Sequence, residues 1–305
     1  MNAAVTGTAL RPGRLAVGVV GTGRVGSVLG AALATAGHHI VAASASSTAS
    51  IRLATRHLPG VPLMAEDEVI ARADLVLLAV PDDALPGLAA GVAETDGWRS
   101  GQLVAHVCGG YGVGVLDPVA RAGGLPLALH PVMSFVGRPE DADRLAGVSF
   151  GVTAADRLRP VAEALVLEMG GEPVWVPEEA RPLYHAALSV GATQLVTVVA
   201  EAADLLRAAG VAAPGRMLGP ILGAALDNVL RSGDAALTGP VVRGDADSVR
   251  SHLGTLDAHA PASVAAYVAL ARRSADRALA AGILEPSDAE TLLDVLADGG
   301  RRTSA

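Results

Sequence analysis

Residues 15–37 read LAVGVVGTGRVGSVLGAALATAG. An apolar run of strand length (15–20) meets the glycine cluster GTGRVG (21–26), and a small-residue segment of helical character follows as far as Gly37. Strand, tight turn and helix in that order open an alternating α/β layer. In such a turn Gly21 permits the bend, Gly23 lets a pyrophosphate approach the main chain, and Gly26 lets helix and strand pack closely. Free N–H groups at the helix start favour phosphate charge. A bare GxGxxG is weak in a chain with 36 glycines, but its place after the first strand makes it a dinucleotide signal. Gly21, Thr22, Gly23, Arg24, Val25 and Gly26 are the first expected cofactor contacts.

The α/β layer continues outward from this turn. A second strand, residues 39–43, ends in Ser44, Ala45, Ser46, Ser47 and Thr48, where an NAD-preferring site usually carries an acid. Hydroxyls without a carboxylate accept a 2'-phosphate better, and Arg52 one turn later offers charge, so NADP is favoured and NAD not excluded. A loop and helix cap explain Ser46, Ser47 and Ser50 equally well residue by residue. Residues 74–81, DLVLLAVP, read as a strand buried on both faces. Val80 and Pro81 beyond it are expected beside the cofactor, and Asp82 and Asp83 are expected to cap the next helix. Further strands are expected at 102–107, 125–129, 148–152 and 172–176, with a helix at 156–169, so the layer extends to about residue 177.

Strand ends in such sheets carry ligands. AHVCGG (105–110) and LHPVMSF (129–135) both place polar groups there. His130 is suited to donate to a carbonyl or carboxylate, and Ser134 to hold an oxyanion. His106 fits similar work or a buried histidine satisfied by backbone. Cys108 reads as a small buried residue, because no adjacent base supports a nucleophile.

Composition removes several functions. All 23 basic residues are Arg, so no step needing a lysine amine comes from this chain. A net charge of -8 with 2 Trp, 3 Tyr and 2 Phe argues against nucleic-acid binding. One cysteine forms no intrachain disulfide and offers no metal-binding pair, so no metal site is expected. Residues 1–14 lack the pattern of a secretory signal and read as a loose tail, which makes a cytoplasmic protein the expectation.

From residue 178 the β alternation disappears. Helices are expected at 178–209, 214–231, 245–257, 261–281 and 286–297, forming an all-helical second domain (178–298) and a frayed tail (299–305). Residues 182–200 carry no Asp, Glu or Arg and have the length of a membrane span. The polar residues His185 and Gln194 within it favour a helix buried in a bundle or at a subunit interface, and a homodimer is expected. Arg181, His185, Ser189 and Thr193 recur every four residues, as the lining of a cleft facing the sheet domain or as a helix–helix seam. Thr238, Gly239 and Pro240 form a turn, Asp245 is placed to cap a helix, and Arg243 suits a phosphate, a substrate carboxylate or an interdomain ion pair.

The segments GVVGTGRVG, VLLAVPDDAL, ALHPVMSF, RPLYHAALSVGA and LTGPVVRGD together resemble a bacterial oxidoreductase family in which an NADP-binding Rossmann-like domain precedes a helical domain of unknown function. That family is related in architecture to pyrroline-5-carboxylate reductase, ketopantoate reductase and deazaflavin-dependent NADP oxidoreductases. The resemblance covers nearly the whole chain. It implies functional pairs at His130–Pro131 and Tyr184–His185 and an Arg-Gly-Asp at 243–245. This chain departs from the family pattern in two places. Thr193 stands where an Asn is usual, and the turn after His106 carries Cys108 in place of a hydroxyl. Without lysine, the lysine-assisted chemistry of ketopantoate reductases does not transfer.

The expected fold is thus α/β, a Rossmann-like dinucleotide-binding domain (15–177) followed by an all-helical domain. The expected function is an NADP(H)-dependent reductase acting on a small carbonyl, imine or deazaflavin-like acceptor, with no nucleic-acid or membrane partner. His130 or His185 would exchange a proton, Ser134 or Thr193 orient the acceptor, and Arg243 bind an anionic group. The competing reading is a sensor or assembly protein that binds NADP without turnover.

Overall fold

The structure, a computed structural model, describes residues 13–138 and 140–302. Most of the expected N-terminal tail, residues 1–12, lies outside the described residues. Two compact units divide between Thr193 and Gln194.

In the first unit, strands and helices alternate as the hydrophobic pattern requires: β1 (Ala16–Val20), α1 (Arg24–Thr35), β2 (His39–Ala43), α2 (Thr48–His57), α3 (Glu66–Arg72), β3 (Leu75–Leu78), α4 (Leu85–Glu94), β4 (Leu103–His106), α5 (Asp117–Arg121), β5 (Leu125–Pro131), α6 (Glu140–Asp143), β6 (Ser149–Ala154), α7 (Arg159–Glu168), β7 (Glu172–Trp175) and α8 (Arg181–Ser189). The seven strands form one sheet in the order β2-β1-β3-β4-β5-β6-β7. All neighbours are parallel except β5 and β6, which run antiparallel with His130 opposite Gly151. Both faces are covered. Leu75 and Leu77 point into one apolar cluster with Val17, Val19 and Leu29, while Val76 and Leu78 point into another with Ile70, Leu85 and Trp98. That explains why residues 75–78 are apolar without alternation. The chain leaves β1 toward β2 and returns past β1 to β3, so the crevice of an open α/β sheet lies at the C-terminal ends of β1 and β3.

Three expectations change here. Asp82 and Asp83 do not cap α4, whose N-cap is Ala84 without a side-chain bond, because the helix starts later than the acids. Helix α8 belongs with the sheet unit, which moves the boundary beyond residue 177: Arg181 is buried against β5 and β6. The stretch expected as one helix from 178 is a 3-10 turn (Glu178–Ala180), α8, a π-helical turn (Val190–Gln194) and then α9 (Leu195–Ala208).

The second unit contains α9, α10 (Pro214–Ser232), α11 (Ala246–His259), α12 (Val264–Ala280) and α13 (Pro286–Arg302). Asp245 caps α11, accepting from the Ser248 N–H at 3.0 Å. The core draws on α11 to α13, with Val249, Leu253, Val268, Ala275, Leu292 and Leu296 buried. Helix α9 contributes no buried residue, and α10 only Pro214. Of the two places expected for the long apolar helix, a bundle interior and a subunit interface, the first is overturned: Leu183, Val190 and Val196 are 76%, 57% and 69% exposed. The helical stretch Glu178–Ala208 is long and apolar enough to cross a membrane, an 18-residue window within it having a mean hydropathy of 1.4. The tail expected from residue 299 is instead helical to Arg302, α13 continuing through Gly299 and Gly300, and residues 303–305 lie outside the described residues.

Candidate functional site

The glycine turn is built by close packing. Gly21 adopts φ 90°, and a Cβ there would lie 2.6 Å from the Ala79 carbonyl oxygen. A Cβ on Gly26 would lie 2.1 Å from the Gly21 carbonyl oxygen. Gly23 differs: nothing stands within 4 Å of its would-be Cβ, so packing does not require a glycine there and the space is open. Gly23 is the N-cap of α1, no side chain caps that end, and its first turn holds no acid. An uncapped helix start beside open space fits a pyrophosphate.

The end of β2 braces this turn. The Gly21 N–H donates to the Ser44 hydroxyl at 3.0 Å, and the Thr22 N–H and hydroxyl both reach the Ser44 carbonyl at 2.9 Å. Ser44 and the Thr22 side chain are buried in this work, so Ser44 does not present its hydroxyl to a 2'-phosphate. Ser47 caps α2 in a reciprocal box with Ser50, the alternative left open for it above. Arg24, Ser46 and Arg52 are exposed, Val25 and Val80 are half-buried, and Pro81 is exposed.

A second constellation forms where β5 meets α8. His130, Pro131, Ser134, His185, Ser189 and Thr193 help to line one cavity of about 240 Å³. Ligand sites for drug-sized molecules run to roughly 300–1,000 Å³, so this space suits a small acceptor. The rings of His130 and His185 stand 6.1 Å apart, centroid to centroid. Gly109 makes that approach possible, since a Cβ there would lie 2.7 Å from Cδ2 of His185 and 3.0 Å from Nε2 of His130. The π-helical turn carries Thr193 to the same cavity as His185; residues spaced by four drift around an α-helix of 3.6 residues per turn, and the wider turn offsets that drift.

The loop after β5 returns toward the glycine turn. Asp141 accepts from the N–H groups of Val136, Gly137 and Arg138, and the Arg24 side chain lies 3.5 Å from the would-be Cβ of Gly137. One loop thus connects the Ser134 cavity with the start of α1.

Burial sets the protonation states. His130 is pushed down to about 4, chiefly by burial and next by the Arg181 guanidinium, and is neutral near pH 7. Its Nδ1 is 2.8 Å from the Tyr184 hydroxyl. His106 is also lowered to about 4 by burial. The Cys108 N–H donates to its Nδ1 at 3.2 Å, which places the ring proton on Nε2, from where it donates to the Gly112 carbonyl at 2.8 Å. His106 is thus the backbone-satisfied buried histidine. Burial and then the Asp82 charge push the Cys108 thiol up, which leaves it an unreactive core residue.

Of the expected reacting groups, the structure brings His130, His185, Ser134 and Thr193 together. Arg243 belongs to the second unit, where it is exposed just before α11. Two residues acquire roles the pattern did not disclose. Asp82 places Oδ2 4.0 Å from the would-be Cβ of Gly110, which is itself 3.2 Å from Nδ1 of His185. Arg181, expected on the cleft face, is fully buried and donates to Thr153 Oγ1 at 2.8 Å and to the carbonyls of Gly151 and Ala128.

Residues 1–131 match the Rossmann-like domain model, and residues 148–274 match a domain of unknown function, DUF2520. The chain is a Rossmann-like domain followed by a DUF2520 domain. Part of that DUF2520 segment, β6 to α8, completes the sheet unit, so the match and the compact units divide the chain differently. No curated protein matches the sequence. Among solved structures, a Bacteroides fragilis protein provisionally named an NADP oxidoreductase is 21% identical with a TM-score of 0.72, covering 86% of this chain and 98% of its own. An imine reductase from Pseudomonas sp. is 20% identical with a TM-score of 0.62, over 93% and 100%. A Plasmodium falciparum pyrroline carboxylate reductase with NADP bound is 13% identical with a TM-score of 0.56, over 92% and 100%. At these identities the likeness is one of fold.

Proposed function

We propose that this Rossmann-like and DUF2520 protein is an NADP(H)-dependent oxidoreductase that passes hydride to or from a small carbonyl, imine or deazaflavin-like acceptor. The observation that carries the reading is the pairing, within one unit, of an open glycine turn at an uncapped helix start with a cavity that gathers two histidines and three hydroxyls. The names of the solved relatives agree with it. A bound nicotinamide supplies or takes the hydride. The turn at 21–26 holds the pyrophosphate, and Arg24, Ser46 and Arg52 hold the 2'-phosphate. Ser134 and Thr193 orient the acceptor, while His130 or His185 exchanges the proton at its oxygen or nitrogen. Stopped-flow absorbance with NADPH and a panel of such acceptors tests the proposal. Oxidation with at least one acceptor is expected; confirmed NADPH binding with no oxidation by any acceptor would favour a sensor without turnover.

The exposed apolar faces of α9 and α10 support a homodimer in which a second copy covers them, because two helices that bury almost nothing have no stabilising face of their own. Glu201, Asp204 and Arg207 within α9 favour that covering over lipid. Sedimentation should give a dimer, and a monomer at all concentrations would count against it.

A further inference from the structure

We infer that Arg181 and Tyr184 form a positioning pair that fixes His130 as a hydrogen-bond donor to the acceptor, leaving His185 as the residue that exchanges the proton. The inference rests on the reductase reading and separates the two histidines which that reading leaves equivalent.

Arg181 motivates it. The side chain is fully buried, yet its hydrogen bonds go to neutral groups alone: Thr153 Oγ1 and the Gly151 and Ala128 carbonyls. Nη1 is buried without a partner. Glu178 attracts the charge without a hydrogen bond to it, its oxygens accepting from the Val113 and Gly114 N–H groups instead; burying a guanidinium without a paired carboxylate is costly, and an apolar side chain of similar volume often gives equal or greater stability. The charge therefore needs a reason other than folding. Its guanidinium lies 5.6 Å from the centre of the Tyr184 ring, and the Tyr184 hydroxyl meets His130 Nδ1.

Hydrogen-bond direction follows from the surroundings of Tyr184. Among the described residues the Tyr184 hydroxyl has one hydrogen-bond partner, Nδ1 of His130 at 2.8 Å, and no carbonyl or carboxylate takes its proton instead. That leaves the Tyr184 O–H to donate to Nδ1 of His130, and the proton of the neutral ring then sits on Nε2. Nε2 points beside Gly109, toward the gap that His185 flanks. The groups facing His130 agree with a neutral ring: Arg181, His185 and His106 all disfavour its cation, burial does so most, and Asp82 alone opposes. Such a ring polarises an oxygen or nitrogen without surrendering its proton. His185 is exposed in the same cavity, so solvent can replace a proton that it gives up.

The test uses the full chain labelled with 15N-histidine, its ring signals assigned with His130→Gln and His185→Gln. Wild-type His130 is expected as a single Nε2–H tautomer that stays neutral to about pH 4. Tyr184→Phe should yield mixed tautomers and about a tenfold lower kcat with NADPH affinity unchanged. Arg181→Met should raise the His130 titration midpoint without lowering Tm; if it does not fold, Tyr184→Phe decides alone. In turnover, His185→Gln should change the shape of the pH profile and His130→Gln only its height. An Nδ1–H tautomer in the wild type, an unchanged tautomer in Tyr184→Phe, or a reshaped profile in His130→Gln alone would overturn the assignment. The ring spectra need no turnover: absence of NADPH oxidation removes the reductase reading, whereas a wrong tautomer removes this one.

Discussion

The glycine turn and the histidine cavity lie in the same unit but are made in different ways. Six consecutive residues build the turn, and their work is done by backbone that needs to come close. The cavity draws on the end of β5, the loop after β5, α8 and the π-helical turn, and its work is done by side chains. Contiguous backbone chemistry is local; gathered side-chain chemistry depends on every element between. The largest effect we predict tests the turn. In Gly26→Ala the new methyl has no room against Gly21 and Ala79, so stability should fall by about 4 kcal/mol or more, or folding be lost. Gly23→Ala meets open space and should melt within a few degrees of wild type while losing NADPH affinity. Equal thermal denaturation of both variants would break the distinction between a glycine kept for packing and one kept for a ligand.

The next two predictions address the cavity. His185→Gln should lower kcat about 10²- to 10⁴-fold with NADPH affinity retained, the range expected when a proton-transferring group is removed. Retained kcat would show the cavity to be only a packing seam. Gly109→Ala should act more mildly, by about tenfold in kcat, because the intruding methyl meets ring edges of His130 and His185 that can shift by rotation. Tm should change little, and a crystal structure of the variant should show the two rings further apart than 6.1 Å.

This contrast also explains how much could be read beforehand. Strands such as His39–Ala43 and helices such as α10 and α11 follow from periodicity and from Gly, Pro and Asp punctuation, and Asp245 declares itself as a cap. His130, Ser134, His185 and Thr193 were legible as candidates because strand ends and one helical stripe each point to a face. Their meeting was not, since nothing local states that α8 packs against the sheet. Burial was the least legible property. Arg181 belongs by type on a surface, and only the antiparallel β5–β6 pair supplies the carbonyls and the Thr153 hydroxyl that admit it. The apolar run of α9 suggested the opposite error, because composition registers a demand for cover without saying whether the same chain meets it. Asp82 looked like a cap because α4 was expected to start earlier.

The smallest predicted effect concerns His106, at the end of β4, a strand that lies between β1 and β5 in the sheet: its ring is held by backbone, as the turn is, and its charge would act against that of His130. Its folded pKa is about 4 against an ordinary 6.5. Between these values the unfolded chain binds a proton that the folded one refuses, so stability rises with pH through this window and falls as pH drops from 6.5 toward 4. Above pH 6.5 both states are neutral and the term vanishes. From pH 7 to 5.5 the loss from this one group is about 1 kcal/mol. His130, lowered for the same reason, adds a loss of the same sign. Urea unfolding at pH 7 and 5.5 should therefore show a smaller decline for His106→Gln than for wild type, since the amide can still donate to the Gly112 carbonyl but takes up no proton. An identical decline in the variant would mean that His106 is accessible to protons in the folded state, and hence that the segment 106–114 opens more readily than the bond from His106 to the Gly112 carbonyl and those from the Val113 and Gly114 N–H groups to Glu178 indicate.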